Sequence, residues 1–162
     1  MIKRKGFTLI ELLVVIGIIA LLSTLAVVAL NNARQKARDA KRVADIKQVQ
    51  TALELHFQEN NEYPLSSAAG IILGGTAAAA IDTLSSTNGF ESAAAGVTFM
   101  GAIPANPPPN GSAYAYSGLL SGGGACSDAA QDCSRYQLTF SLEGVTGSLA
   151  SGAHSANETG LQ

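Results

Sequence analysis

The chain has 162 residues, room for one small domain and an appendage, with a formal net charge of −2 and 47% hydrophobic residues. Those hydrophobic residues are concentrated in residues 7–30, and the remainder is rich in Ala, Gly and Ser, which excludes a large buried core there. Charge is just as unevenly placed: Arg34, Lys36, Arg38, Lys41, Arg42 and Lys47 follow the apolar stretch, and beyond Lys47 only Arg135 is basic against nine acids, so a basic neck precedes an acidic head.

Residues 1–6 form a short leader carrying Lys3, Arg4 and Lys5. Residues 7–30 then give 24 positions at which Glu11 is the only charge. As a helix they span about 36 Å, enough to cross a bilayer. An ordinary secretory signal has an apolar region of about 7–15 residues followed by a small-x-small cleavage site, and this stretch fits neither feature. Glu11 needs a reason, because an acid inside a spanning helix costs about 3 kcal/mol.

Nothing stops the helix at Leu30. Residues 31–60 contain no Pro or Gly, so one helix is predicted from about residue 7 to residue 60. Its break falls in Asn60-Asn61-Glu62-Tyr63-Pro64, where Pro64 forbids continuation. The second half is amphipathic and carries two stripes. Val43, Ile46, Val49, Leu53 and Phe57 make a face of large residues, and Ala33, Ala37, Ala40 and Ala44 project to another side. Either both belong to one wide core face, or the large residues hold the chain's own sheet while the alanines admit a neighbouring helix.

Residues 65–105 read as a low-complexity Ala/Gly/Ser/Thr connection, with a short helix conceivable near residues 77–84. Pro107-Pro108-Pro109-Asn110-Gly111 marks a turn. Strands are predicted at residues 113–117 and at 136–143, where Tyr136, Leu138, Phe140 and Leu142 alternate with polar residues. A weaker strand is predicted near 148–154, with residues 144–147 as the hairpin turn between the last two.

Cys126 and Cys133 lie close together beyond the apolar stretch, and on an exported segment that spacing favours a disulfide. A zinc site would need two further ligands, and the only histidines are His56, on the helix, and His154, in a Gly/Ser-rich tail. Both histidines are read as structural or solvated. Asp128 and Asp132 lack the ligand spacing of a regular calcium loop, so no metal is assigned. No phosphate loop or nucleophile–base arrangement is visible, and the chain is not read as an enzyme. No cofactor is expected. The basic neck could meet DNA phosphates, lipid headgroups or acids of neighbouring subunits; nucleic acid is not the favoured partner.

The string Lys5-Gly6-Phe7-Thr8-Leu9-Ile10-Glu11, continued by Leu12-Leu13-Val14-Val15-Ile16, resembles the N-terminal signal of type IV pilins and pseudopilins. The sequence Ala37-Arg38-Asp39-Ala40-Lys41-Arg42 and the break at Tyr63-Pro64 are also similar to that family. The resemblance implies cleavage after Gly6 by a membrane-embedded prepilin peptidase and N-methylation of Phe7. It also implies that Glu11 pairs with the new amine of Phe7 as a subunit docks. Glycine before the cut fits backbone entering a cleft without a side chain. The chain lacks the membrane-helix proline that many pilins carry, so the helix opening linked to it is not expected.

The expected fold is therefore an α+β pilin fold, a long N-terminal helix packed by its second half on a small antiparallel sheet. The expected divisions are a leader at 1–6, a membrane and filament-core helix at 7–30, an amphipathic helix at 31–61, a variable connection at 62–112, and a sheet head with the cysteine loop at 113–162. By this resemblance the chain is a structural filament subunit. The partners implied are prepilin peptidase, an inner-membrane assembly platform and other copies in a homo-oligomeric filament. The implied location is the inner membrane, single-pass with the head extracytoplasmic, then a cell-surface pilus or pseudopilus. A pseudopilin of type II secretion and a minor pilin binding DNA or a surface are the alternatives. The basic neck runs against the positive-inside count, but following domains translocate largely regardless of charge.

Overall fold

The structure is a computed structural model and describes residues 6–74, 81–108, 112–128 and 131–162. The chain divides into two units, Met1–Ala37 and Arg38–Gln162. Helix α1, Leu9–Asn60, runs from the first into the second.

In the first unit every side chain from residue 9 to residue 30 is exposed. This part of α1 is long and apolar enough to cross a membrane. Its two hydroxyls are satisfied within the helix: Ser23 Oγ donates to the Ile19 carbonyl at 2.7 Å, and Thr24 Oγ1 to the Leu21 carbonyl at 2.8 Å. Such back-bonding leaves no side-chain hydroxyl in need of water.

In the second unit α1 buries Ile46, Val49, Ala52 and Leu53, with Val43 and Phe57 half-buried beside them. The stripe of large residues is thus the core face. Ala33, Ala37, Ala40 and Ala44 are exposed, so the two stripes do not form one wide core face. The helix ends as its sequence requires. Asn61 takes a left-handed φ of 59°, and its N–H donates to the Phe57 carbonyl at 2.7 Å, an αL cap.

The core face packs with a five-stranded antiparallel sheet in the order β1-β5-β6-β7-β8, comprising β1 Ile71–Leu73, β5 Tyr114–Leu119, β6 Arg135–Leu142, β7 Gly152–Asn157 and β8 Gly160–Leu161. Tyr116 pairs with Leu138 and Leu138 with Ala156, so all three point to one face and are buried. The alternation seen in the sequence is the pattern of burial along β6, where Tyr136, Leu138, Phe140 and Leu142 face inward.

Residues 65–105, expected as a connection, hold β1 and a second sheet of order β3-β2-β4: β2 Thr83–Ser85, β3 Gly89–Glu91 and β4 Thr98–Met100. These strands are three residues each, too short to show a period. Leu84 and Phe90 from this sheet join the core. The helix conceived near 77–84 falls on Thr83–Ser85 as strand, and residues 77–80 lie outside the described residues. So do residues 109–111 of the expected proline turn.

The expected turn at 144–147 is instead a longer connection, residues 143–151, and β7 begins at Gly152. The reason lies on the helix. The Glu143 and Gly144 N–H groups donate to the Asp39 carboxylate at 3.0 and 2.8 Å, which ends the β6–β7 ladder at Leu142↔Gly152.

Candidate processing and assembly site

Residues 6–8 precede the helix, and Phe7 is 89% exposed. A Cβ added at Gly6 would meet nothing within 4 Å, so nothing among the described residues demands glycine there. The basic residues Lys3, Arg4 and Lys5 lie outside the described residues.

Thr8 and Glu11 form a capping box. The Thr8 N–H and Oγ1–H donate to Glu11 Oε2 at 2.9 and 2.7 Å, and the Glu11 N–H donates to Thr8 Oγ1 at 3.3 Å. Two donors that the first turn would leave orphaned are satisfied, and the helix start is fixed at Leu9. The motif around Thr8 hides a second signal in the sequence, since Thr-x-x-Glu before an apolar run is the pattern that marks such a start.

At the neck, the second unit buries part of the charge that the sequence offers to partners. Arg42 is 0% exposed and Asp39 1%. Arg42 Nη1 meets Asp39 Oδ1 at 2.6 Å, Nη2 meets Glu143 Oε1 at 2.7 Å and the Pro107 carbonyl at 3.1 Å, and Nε donates to Asn106 Oδ1 at 2.7 Å. Arg38 adds a bidentate pair to Glu143, with Nε to Oε1 at 2.9 Å. The hydrogen bonds from Arg38, with those from Arg42, hold the Glu143 carboxyl at about 2, well below the usual carboxylate range. A buried guanidinium is tolerable only when its charge and its N–H groups are paired, and here each of the three nitrogens of Arg42 has a partner.

The polar residues among the apolar stripe anchor tyrosines. The Tyr114 hydroxyl donates to Asp45 Oδ2 and the Tyr63 hydroxyl to Glu54 Oε1, each at 3.1 Å. Gln50 Nε2 donates to the Tyr136 hydroxyl at 3.3 Å. Burial pushes the Asp45 carboxyl up and the Tyr136 hydroxyl up to about 12. His56 Nδ1 donates to the Glu62 carbonyl at 2.9 Å, and its Nε2 accepts from Asn60 Nδ2 at 3.0 Å. Burial lowers the His56 pKa, so the ring is a neutral structural element tying down the helix end.

Cys126 and Cys133 form a disulfide, with both cysteines fully buried. Their carbonyls accept from the Ser66 and Tyr63 N–H groups at 2.9 and 2.8 Å, so the bridge backs the segment that leaves the helix. Gly118 is required alongside: a Cβ there would stand 2.6 Å from the Pro64 carbonyl oxygen. Among the described residues no group of three or more His, Cys, Asp and Glu side chains is placed to hold a metal ion. The structure thus brings Thr8 and Glu11 together at one end of α1, and the cysteines with Tyr63 and Ser66 at the other.

The prokaryotic N-terminal methylation motif matches residues 1–27. Type II secretion system core protein G of Escherichia coli is 40% identical over 65 residues, which is 40% of this chain and 45% of that protein. The core protein G of Pectobacterium carotovorum is 40% identical over 62 residues, 38% of this chain and 40% of that protein. The type IV wide pilus major component PilA4 of Thermus thermophilus is 42% identical over 72 residues, 44% of this chain and 55% of that protein. The chain spans about half the length of the curated relatives it matches. No solved structure matches it. The chain therefore carries a prepilin-type methylation motif and has both type IV pilin and type II secretion pseudopilin homologues.

Proposed function

We propose that the chain is a structural subunit of a type IV pilus or related filament, cut by prepilin peptidase between Gly6 and Phe7, methylated on the new Phe7 amine, and assembled through its N-terminal apolar helix. One observation carries the reading. A methylation motif over residues 1–27 leads into a helix whose apolar side chains are exposed from residue 9 to residue 30, and a compact α+β head follows. Such a surface has two natural solvents, a bilayer before assembly and neighbouring helices after it. The mature subunit would sit single-pass in the inner membrane with its head outside, and leave it at an assembly platform. Cleavage would create a cation at Phe7, one residue from the capping box, and in a docked neighbour that amine would compete with Thr8 for Glu11.

A place in a type II secretion pseudopilus is the second reading, favoured by the likeness to core protein G of two organisms. Mass spectrometry of the full-length chain, expressed with the peptidase, tests the processing step. An N-terminus at methylated Phe7 is expected, and Gly6→Leu should accumulate as uncut precursor. A mature N-terminus near Asn31 would overturn the reading.

A further inference from the structure

The charges of this chain are sorted by position in a way its own fold does not use up. Of the ten Lys and Arg residues, six lie between residues 34 and 47 and one, Arg135, in the head. Arg38 and Arg42 are taken by Glu143 and Asp39. Arg135 Nε is taken by Glu158 at 2.6 Å. Arg34, Lys36, Lys41 and Lys47 are exposed, and none forms an ion pair among the described residues. Lys41 lies one turn before Asp45, whose Oδ2 already accepts the Tyr114 hydroxyl. The acids left over are elsewhere. Asp82 and Glu91 are exposed at the second sheet, and Glu59 and Glu62 are exposed at the C-terminal end of α1, where the helix dipole adds negative potential. Exposed Asp132 directly precedes Cys133, whose carbonyl accepts from the Tyr63 N–H just after the helix end.

From this sorting we infer that the basic neck docks on the acidic helix end of a second copy of this chain. The contact rests on the filament reading and gives it a direction. Arg135, the single cation beyond Lys47, is spent within its own subunit, so between copies the cations come from the neck and the acids from the helix end. Such a contact uses two different patches and is heterologous; with each copy also displaced along the helix axis it cannot close into a ring, and it repeats as an open filament. Lys41 and Glu59 are 18 residues apart on one helix. A neighbour displaced by about 27 Å along that axis therefore sets its neck level with this end. Complementary charge of this kind fixes register and partner more than it adds affinity.

The test is filament sheared from cells expressing the full-length chain as the sole subunit, measured against subunit in the membrane fraction. Lys41→Glu with Lys47→Glu should lower the filament yield about tenfold at unchanged membrane level and with the disulfide formed. Glu59→Lys with Glu62→Lys should do the same. All four changes in one chain restore complementarity between copies, and yield should return to within about threefold of the parent. Normal yield from either double variant overturns the contact. So does loss from the lysine pair alone, which would mean that the neck meets lipid or nucleic-acid phosphates. Failure of the four-fold variant to recover also overturns it. No filament from the parent chain would remove the filament reading itself and this contact with it.

Discussion

Replacing Arg42 with Met is the most informative single perturbation of the head. The methionine keeps the apolar stem and deletes the guanidinium. Asp39, 1% exposed, then loses the cation at 2.6 Å, Glu143 keeps only Arg38, and Asn106 Oδ1 and the Pro107 carbonyl lose a donor. Breaking a buried pair from one side costs about 3–5 kcal/mol, because the remaining charge has been stripped of water and left without a counter-ion. Asp39→Ala should cost a similar amount by a different route, since it also releases the Glu143 and Gly144 N–H groups. The double variant should cost less than the sum by about 1.5–3 kcal/mol, since the second deletion removes the orphan left by the first. Urea unfolding of the full-length protein in detergent, followed by tyrosine fluorescence, reads this directly because all four tyrosines lie in the head core. A loss below about 1 kcal/mol for Arg42→Met, or full additivity in the double variant, would refute the reasoning.

The folded head holds Glu143 at about 2, below the 4.5 of the free group, so its contribution is complete above about pH 5 and fades as pH falls towards 2. Glu143→Gln should flatten that part of a stability-versus-pH curve; an unchanged acid limb would count against the clamp. Asp45 is raised instead, so it works in the opposite sense, and Asp45→Asn should remove a gain on acidification. Exported protein should show no free thiol until reduced, and Cys126→Ser with Cys133→Ser should cost about 2.5 kcal/mol, with amide exchange rising first at Tyr63 and Ser66. Alkylation of unreduced protein would contradict the bridge. Ser134 Oγ is buried with no hydrogen-bond partner among the described residues, so Ser134→Ala should leave stability unchanged or raise it by up to about 1 kcal/mol; a clear loss in a melt would show that the hydroxyl is paired. Glu11→Ala should leave cleavage and membrane level intact but abolish filament yield, and normal yield would defeat the pairing with Phe7.

Much of this structure could be read from residue order. The absence of Pro and Gly from 31 to 60, followed by Pro64, gives a helix ending at Asn60, and the alternation from Tyr136 to Leu142 gives β6 and its inward face. What stayed hidden depends on long-range pairing. Arg42 reads as one more cation of a basic neck until Glu143, 101 residues further on, is folded against it. Asp39 likewise sets where β6 and β7 part, and no local pattern around residues 143–151 could reveal that. Strands β1–β4 carry β-formers such as Ile71, Ile72, Thr83 and Phe99, but at three residues apiece within an Ala-, Gly- and Ser-rich stretch they are too short to show an alternation. Thr8 was different, since its signature was present but overshadowed by the motif around it.

Three of the tyrosine anchors also determine how the head bears load. Asp45 holds Tyr114, Gln50 holds Tyr136 and Glu54 holds Tyr63, so one helix grips three aromatic posts along its length. A pull along the helix axis loads these bonds in parallel, as a shear, rather than peeling them one after another. Sliding the helix by a single turn, about 5.4 Å, would strip all three hydroxyls of their partners at once. The head should therefore resist axial tension up to a sharp yield point and then fail in one step, with little gradual creep.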